Sequence, residues 1–146
     1  MVKYADINKA IVSKLKNKFK NIEIVSTDMN EGIIRPSFFI DFDDMKSNDF
    51  MGEMIDREIT VRIYYFSSDR YKNKIELLNM QDELNDLFMQ NNIIEIDEFT
   101  KVEIEELEFN IVDKVLHCYF NIMLSEDYDR YDNDVEIMED LQFKNL

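Results

Sequence analysis

Apolar and polar positions alternate most regularly between Arg57 and Phe66. Ile59, Val61, Ile63 and Tyr65 fall at every second position and share one face of an extended strand. Thr60, Arg62 and Tyr64 share the other. The segment has no Gly or Pro and is rich in β-branched and aromatic residues, which suit a pleated surface. A second strand runs over residues 36–42. Phe38, Ile40 and Phe42 point one way, Ser37, Phe39 and Asp41 the other, and Pro36 is tolerated at the start. A third covers Val115–Leu124, with Leu116, Cys118, Phe120, Ile122 and Leu124 inward and His117, Tyr119 and Asn121 outward. Lys101–Val112 is also extended but changes phase. Val102 and Ile104 have one parity, Leu107, Phe109 and Ile111 the other, and one inserted residue near Glu105-Glu106, a β-bulge, would restore a common face. Asp113-Lys114 reads as the two-residue turn between the last two strands. Ile22–Ser26 and the Ile93, Ile94, Ile96 piece are short extended segments.

Two stretches have helical spacing. Tyr4, Ile7, Ile11, Leu15 and Phe19 recur every three or four residues and form one apolar stripe over residues 4–20. From about Arg70 to Gln90, Tyr71, Ile75, Leu78, Leu84, Leu87 and Phe88 form a broad apolar face, with Ser67-Ser68-Asp69 supplying N-cap chemistry. Residues 43–53 are charged and predict a long loop rather than a tight hairpin turn. They carry Met45, Phe50 and Met51, which either fold back on the sheet or insert into a partner. Thr27–Gly32 is polar and turn-rich, with Gly32 holding a geometry closed to other residues.

The pattern predicts one domain over residues 1–146, with 126–146 as an acidic C-terminal extension. The fold class is α+β: a mainly antiparallel sheet with two main helices packed on one face. The Arg62 and Tyr64 side is left to water or to a partner.

Charge sharpens the picture. The formal net charge is −15. It disfavours contact with a nucleic-acid duplex or an anionic membrane surface, and points to solubility, to basic partners, or to a passage that must not hold DNA. Lys9, Lys14, Lys16, Lys18 and Lys20 crowd the second half of the first helix. They either complement its dipole from a solvated face or dock an acidic neighbour, with Lys14 and Lys18 as the candidate contacts. The one cysteine, Cys118, allows no internal disulfide and reads as a small core residue. No apolar run reaches the length of a membrane span.

Catalytic and cofactor motifs do not emerge. With two glycines, phosphate-binding loops are excluded by composition. One Cys and one His, adjacent in sequence, cannot supply a zinc site. Asp127, Asp129, Asp132 and Asp134 suggest calcium, but from Asp127 the EF-hand positions 5, 6 and 12 fall on Tyr131, Asp132 and Met138, which fails the pattern. No metal, no cofactor and no enzymatic activity are therefore expected. The acidic end, with Tyr128 and Tyr131, is a solvated tail or a strip that docks a basic surface.

Several segments in order carry a family resemblance: Leu15–Phe19, Gly32 followed by Pro36-Ser37-Phe38-Phe39-Ile40, then Arg57 and Arg62–Phe66, and Leu116–Phe120. In this order the chain resembles small phage tail terminators of contractile-tailed phages and phage-tail-like bacteriocins. The family often has a proline after the Tyr-Phe pair, where Ser67 stands here. The resemblance implies a six-fold ring of identical subunits that caps the tail tube and contacts the tube protein, the sheath end and, in phages, the head connector. It implies assembly in the bacterial cytoplasm and residence in the finished particle. The alternatives are a neck protein of the same particle and a monomeric acidic binding module of the immunity or antirestriction type.

Overall fold

The computed structural model describes residues 2–25 and 34–127. In chain order the elements are α1 (Tyr4–Lys18), β1 (Glu23–Val25), β2 (Ser37–Phe50), β3 (Met54–Phe66), α2 (Lys74–Asn85), β4 (Ile93–Glu95), β5 (Lys101–Glu103), β6 (Glu108–Val112) and β7 (Val115–Asp127). A π-helical turn, Asp86–Gln90, extends α2. The main sheet has the order β1-β2-β3-β7-β6 and is antiparallel except for the β1–β2 pair. The α+β class matches the sequence pattern, and β3 lies at the centre of the sheet.

The alternation along β3 and β7 sets the core. Ile59, Val61, Ile63 and Tyr65 are buried on the same face as Leu116, Cys118, Phe120, Ile122 and Leu124. The helices cover that face. Ile7, Ile11 and Leu15 of α1 are fully buried, and Phe19 packs on Phe38 of β2 with ring centroids 5.1 Å apart. Phe88, in the π turn, meets Phe120 of β7 at 5.3 Å.

Several expectations change. The charged segment 43–53 is not a long loop: β2 and β3 continue as a paired ladder to Phe50↔Met54. A three-residue turn closes it, with positive φ at Met51 and Gly52. The Asp49 carboxylate caps that turn by accepting the Gly52 N–H at 3.1 Å. The bulge expected near Glu105-Glu106 lies instead in β2, where Asp44 and Met45 oppose Ile59 and Asp44 has positive φ. Lys101–Val112 is two strands in two sheets. β5 pairs with β4, β6 pairs with β7, and Ile104–Leu107 carries the chain between them. The phase change marks that crossing, since Val102 reaches the core from the small sheet and Ile104 from the segment that leaves it.

The second helix also differs. It begins at Lys74, because the Asp69 carboxylate accepts the N–H groups of Tyr71 and Lys72 and caps a turn instead. Its buried face is Leu77, Met80, Leu84 and Phe88, while Tyr71, Ile75 and Leu78 face outward. Asn73 anchors the helix start by donating to Ser67 Oγ and to the Lys114 carbonyl. The Asp113-Lys114 turn forms as read, with positive φ at both residues. Gly32 and the Ile137–Phe143 piece lie outside the described residues.

Candidate interaction surfaces

Three surfaces collect the residues singled out from the sequence. The first is the sheet face opposite the helices. Strand register aligns Phe39, Tyr64 and His117 in one row and Asp41, Arg62 and Tyr119 in the next. The Tyr64 ring lies 5.8 Å from Phe39 and meets His117 edge-on at 4.6 Å. Arg62 stacks over Tyr119 at 4.6 Å, and its Nε donates to Asp43 Oδ2 at 2.9 Å. Below these rows the Thr60 hydroxyl donates to Asn121 Oδ1 at 2.7 Å. Cross-strand partners of this kind hold the side chains in place before any contact forms. Partial burial raises the Tyr64 phenol and, aided by the Arg62 charge, lowers His117. The Asp43 hydrogen bond keeps Arg62 firmly charged. The row is thus a neutral aromatic strip beside a fixed cation.

The second surface is the arm made by the distal halves of β2 and β3, flanked by the end of β7, which pairs with β3 as far as Met54↔Asp127. Met45 and Phe50 are about half exposed and Met51 is 82% exposed at the tip. Of the two outcomes left open by the sequence, none of these three side chains is buried against its own sheet. Beyond Phe39, the outer edge of β2 pairs with no strand among the described residues.

The third is the lysine-rich half of α1. Lys14 Nζ donates to the carbonyls of Asn91 and Ile93, and Lys18 Nζ donates to the carbonyl of Glu83. Partial burial pulls Lys14 below its usual range. These two ammonium groups bind α1 to the end of the second helix and the start of β4. Charge reversal there therefore disturbs the fold as well as any contact. Lys9, Lys16 and Lys20 are exposed. Tyr128 and Tyr131 lie outside the described residues.

One network was not legible in advance. Arg57 has the inward parity of β3 and is buried, paired with the Glu126 carboxylate. Its Nη2 also donates to the Val2 carbonyl at 2.6 Å, the Val2 N–H donates to Glu126 Oε2 at 2.8 Å, and the guanidinium lies over the Tyr4 ring. The start of the chain is thereby clamped across β3 and β7. An arginine at an inward strand position needs a partner, and that was the available signal.

The described residues assemble no group of three or more His, Cys, Asp or Glu side chains fit for a metal. Cys118 is buried and its thiol is pushed up by burial. Glu58, Glu103, Glu105, Glu106 and Glu108 line an acidic cleft of about 340 Å³ beside Tyr119. No described helix is long and apolar enough to cross a membrane.

The described residues thus present a cross-strand-paired sheet face, an exposed apolar arm tip and a lysine-rich helix face. The chain belongs to the family of phage tail terminator proteins, which matches it over residues 6–134. It is therefore a virion-associated structural component of tail completion, and it contacts other tail components. No curated protein matches the chain.

Proposed function

We propose that this protein ends tail assembly by closing the tube as a hexameric ring of identical subunits. The observation that carries the reading is family membership across residues 6–134. The arm supplies a physical means. Phe50 and Met51 stand exposed on a rigid ladder, and exposed large apolar side chains of this kind act as contact anchors. The Arg62, Tyr64 and Tyr119 rows offer a second, prearranged surface to a neighbouring subunit or to the last tube ring. The sheath end is the outer partner in a contractile phage tail or tail-like bacteriocin, and a head connector follows where the particle carries DNA. Assembly takes place in the bacterial cytoplasm. A net charge of −15 suits a ring whose lumen lets DNA pass without sticking.

The acidic-module alternative requires carboxylates on one continuous face. On the open sheet face, acids are interleaved with Arg62, His117 and aromatic rings, which favours the ring. Tube polymerisation provides the test. With tube protein alone, tubes keep lengthening. Adding this protein stops growth at substoichiometric amounts, and an unchanged length distribution overturns the proposal.

A further inference from the structure

Cations gather around an apolar groove at the start of α2. Tyr71 and Ile75 are each 69% exposed, and with Ile111 of the edge strand β6 they line a cavity of about 430 Å³. Lys72, Lys74 and Lys114 share the lining. Lys114 Nζ donates to the Tyr71 carbonyl, and Arg70 and Lys114 both approach the Tyr71 ring at 5.8 Å. Of the nearby acids, the Asp69 carboxylate is occupied by backbone N–H groups, and Asp113 lies in the β6–β7 turn. A cationic, apolar groove on a protein of net charge −15 calls for an acidic, apolar occupant.

The chain carries such a segment. From Asp129 to Leu146, six carboxylates outnumber two cations, and Val135, Ile137, Met138, Leu141 and Phe143 are interleaved with them. Where β7 ends decides whose segment can fit. The groove lies beside Ile111↔Leu116, near the start of β7, whereas Asp127 pairs with Met54 at the far end. Eleven strand steps separate Leu116 from Asp127, about 36 Å. Val135 is eight residues past Asp127 and reaches at most about 28 Å. A chain's own Val135 falls short of its own groove, and its own Ile137, ten residues past Asp127, reaches about 36 Å only when fully extended, so seating the segment from Val135 onward calls for an adjacent copy.

We infer that the segment around Val135–Leu141 of one copy seats in the Tyr71–Ile75–Ile111 groove of the next. The contact is head-to-tail, joining two different patches, and such contacts close into rings when the rotation between copies permits. The inference rests on the ring reading and names the contact that would hold neighbouring subunits together. It also gives Tyr128 and Tyr131 a place, on the span between the two copies.

Two full-length chains are co-expressed, one carrying Ile75→Cys and the other Ile137→Cys, and oxidised. Cys118 is buried and stays out of the reaction. The expected result is a disulfide-linked heterodimer, formed at least about tenfold more than with Met123→Cys, on the open sheet face, in place of Ile75→Cys. Lys72→Glu with Lys74→Glu lowers the yield by about fivefold or more, and Glu136→Lys with Glu139→Lys in the partner restores it. Equal yields from both pairs overturn the inference. So does a link that forms only within one doubly substituted chain. Native mass measurement separates the two claims. Rings without the link leave the ring and remove this contact, and the link in open oligomers keeps the contact and removes the ring.

Discussion

At the residue scale, burial keeps two acids of the core protonated. Cys118 sits fully inside, and its thiol is pushed up by desolvation. The Tyr65 phenol is pushed up by burial and by its hydrogen bond to Glu76 Oε2 at 2.8 Å. In the unfolded chain the thiol titrates near about 8.5 and the phenol near about 10. Above those values the unfolded chain releases protons that the folded chain retains, so stability falls as pH rises. For the thiol alone the loss reaches about 1.4 kcal/mol by about pH 9.5. Urea midpoints measured from neutral to alkaline pH should hold level and then drop from about pH 8.5. Cys118→Ala should move the onset towards about pH 10 and Tyr65→Phe should shallow the later fall. A flat profile in the unmodified protein would contradict the burial argument.

At the element scale, the β2–β3 arm lets its proposed contact role be measured apart from folding. Its β2 strand beyond Asp43 is exposed, as is Met51 at the tip, so Phe50→Ser with Met51→Ser should change folding stability by no more than about 0.5 kcal/mol. The same pair should weaken binding to tube ends by about tenfold or more, as loss of a contact anchor does. Thermal melting and end-binding titration read the two quantities separately, and a loss of stability with unchanged binding refutes the arm's role. This element also shows what the sequence could reveal. Alternation over Ile59–Tyr65 and Leu116–Leu124 reveals two strands and their helix-covered face. Asp43–Asp49 hid a strand, because its polar residues have poor strand preference and pairing with β3 overrides it. The second helix buries Leu77, Met80 and Leu84 instead of Ile75 and Leu78, and Tyr71 falls outside it because the Asp69 carboxylate caps a turn and the helix starts at Lys74. Met45, Phe50 and Met51 were visible as unpartnered apolar residues in charged surroundings. The ties of Lys14 and Lys18 to Asn91, Ile93 and Glu83 span at least 65 positions and leave no local pattern. The Arg57–Glu126 pair is equally distant, 69 positions apart.

At the scale of the whole molecule, the helices cover one face of the sheet and leave the other uncovered among the described residues. The −15 charge is unevenly spread, with cations around α1 and the start of α2 and acids dense after Leu124. Such segregation suits contacts between unlike patches, which close into a ring where the rotation between copies permits and run on as open filaments where it does not. The most direct measurement is electron microscopy of tail tubes mixed with the purified protein. A single six-fold ring of this protein is expected on one end of each tube, with no decoration along the shaft. Bare tube ends, with the protein left as free monomers in the background, would contradict it.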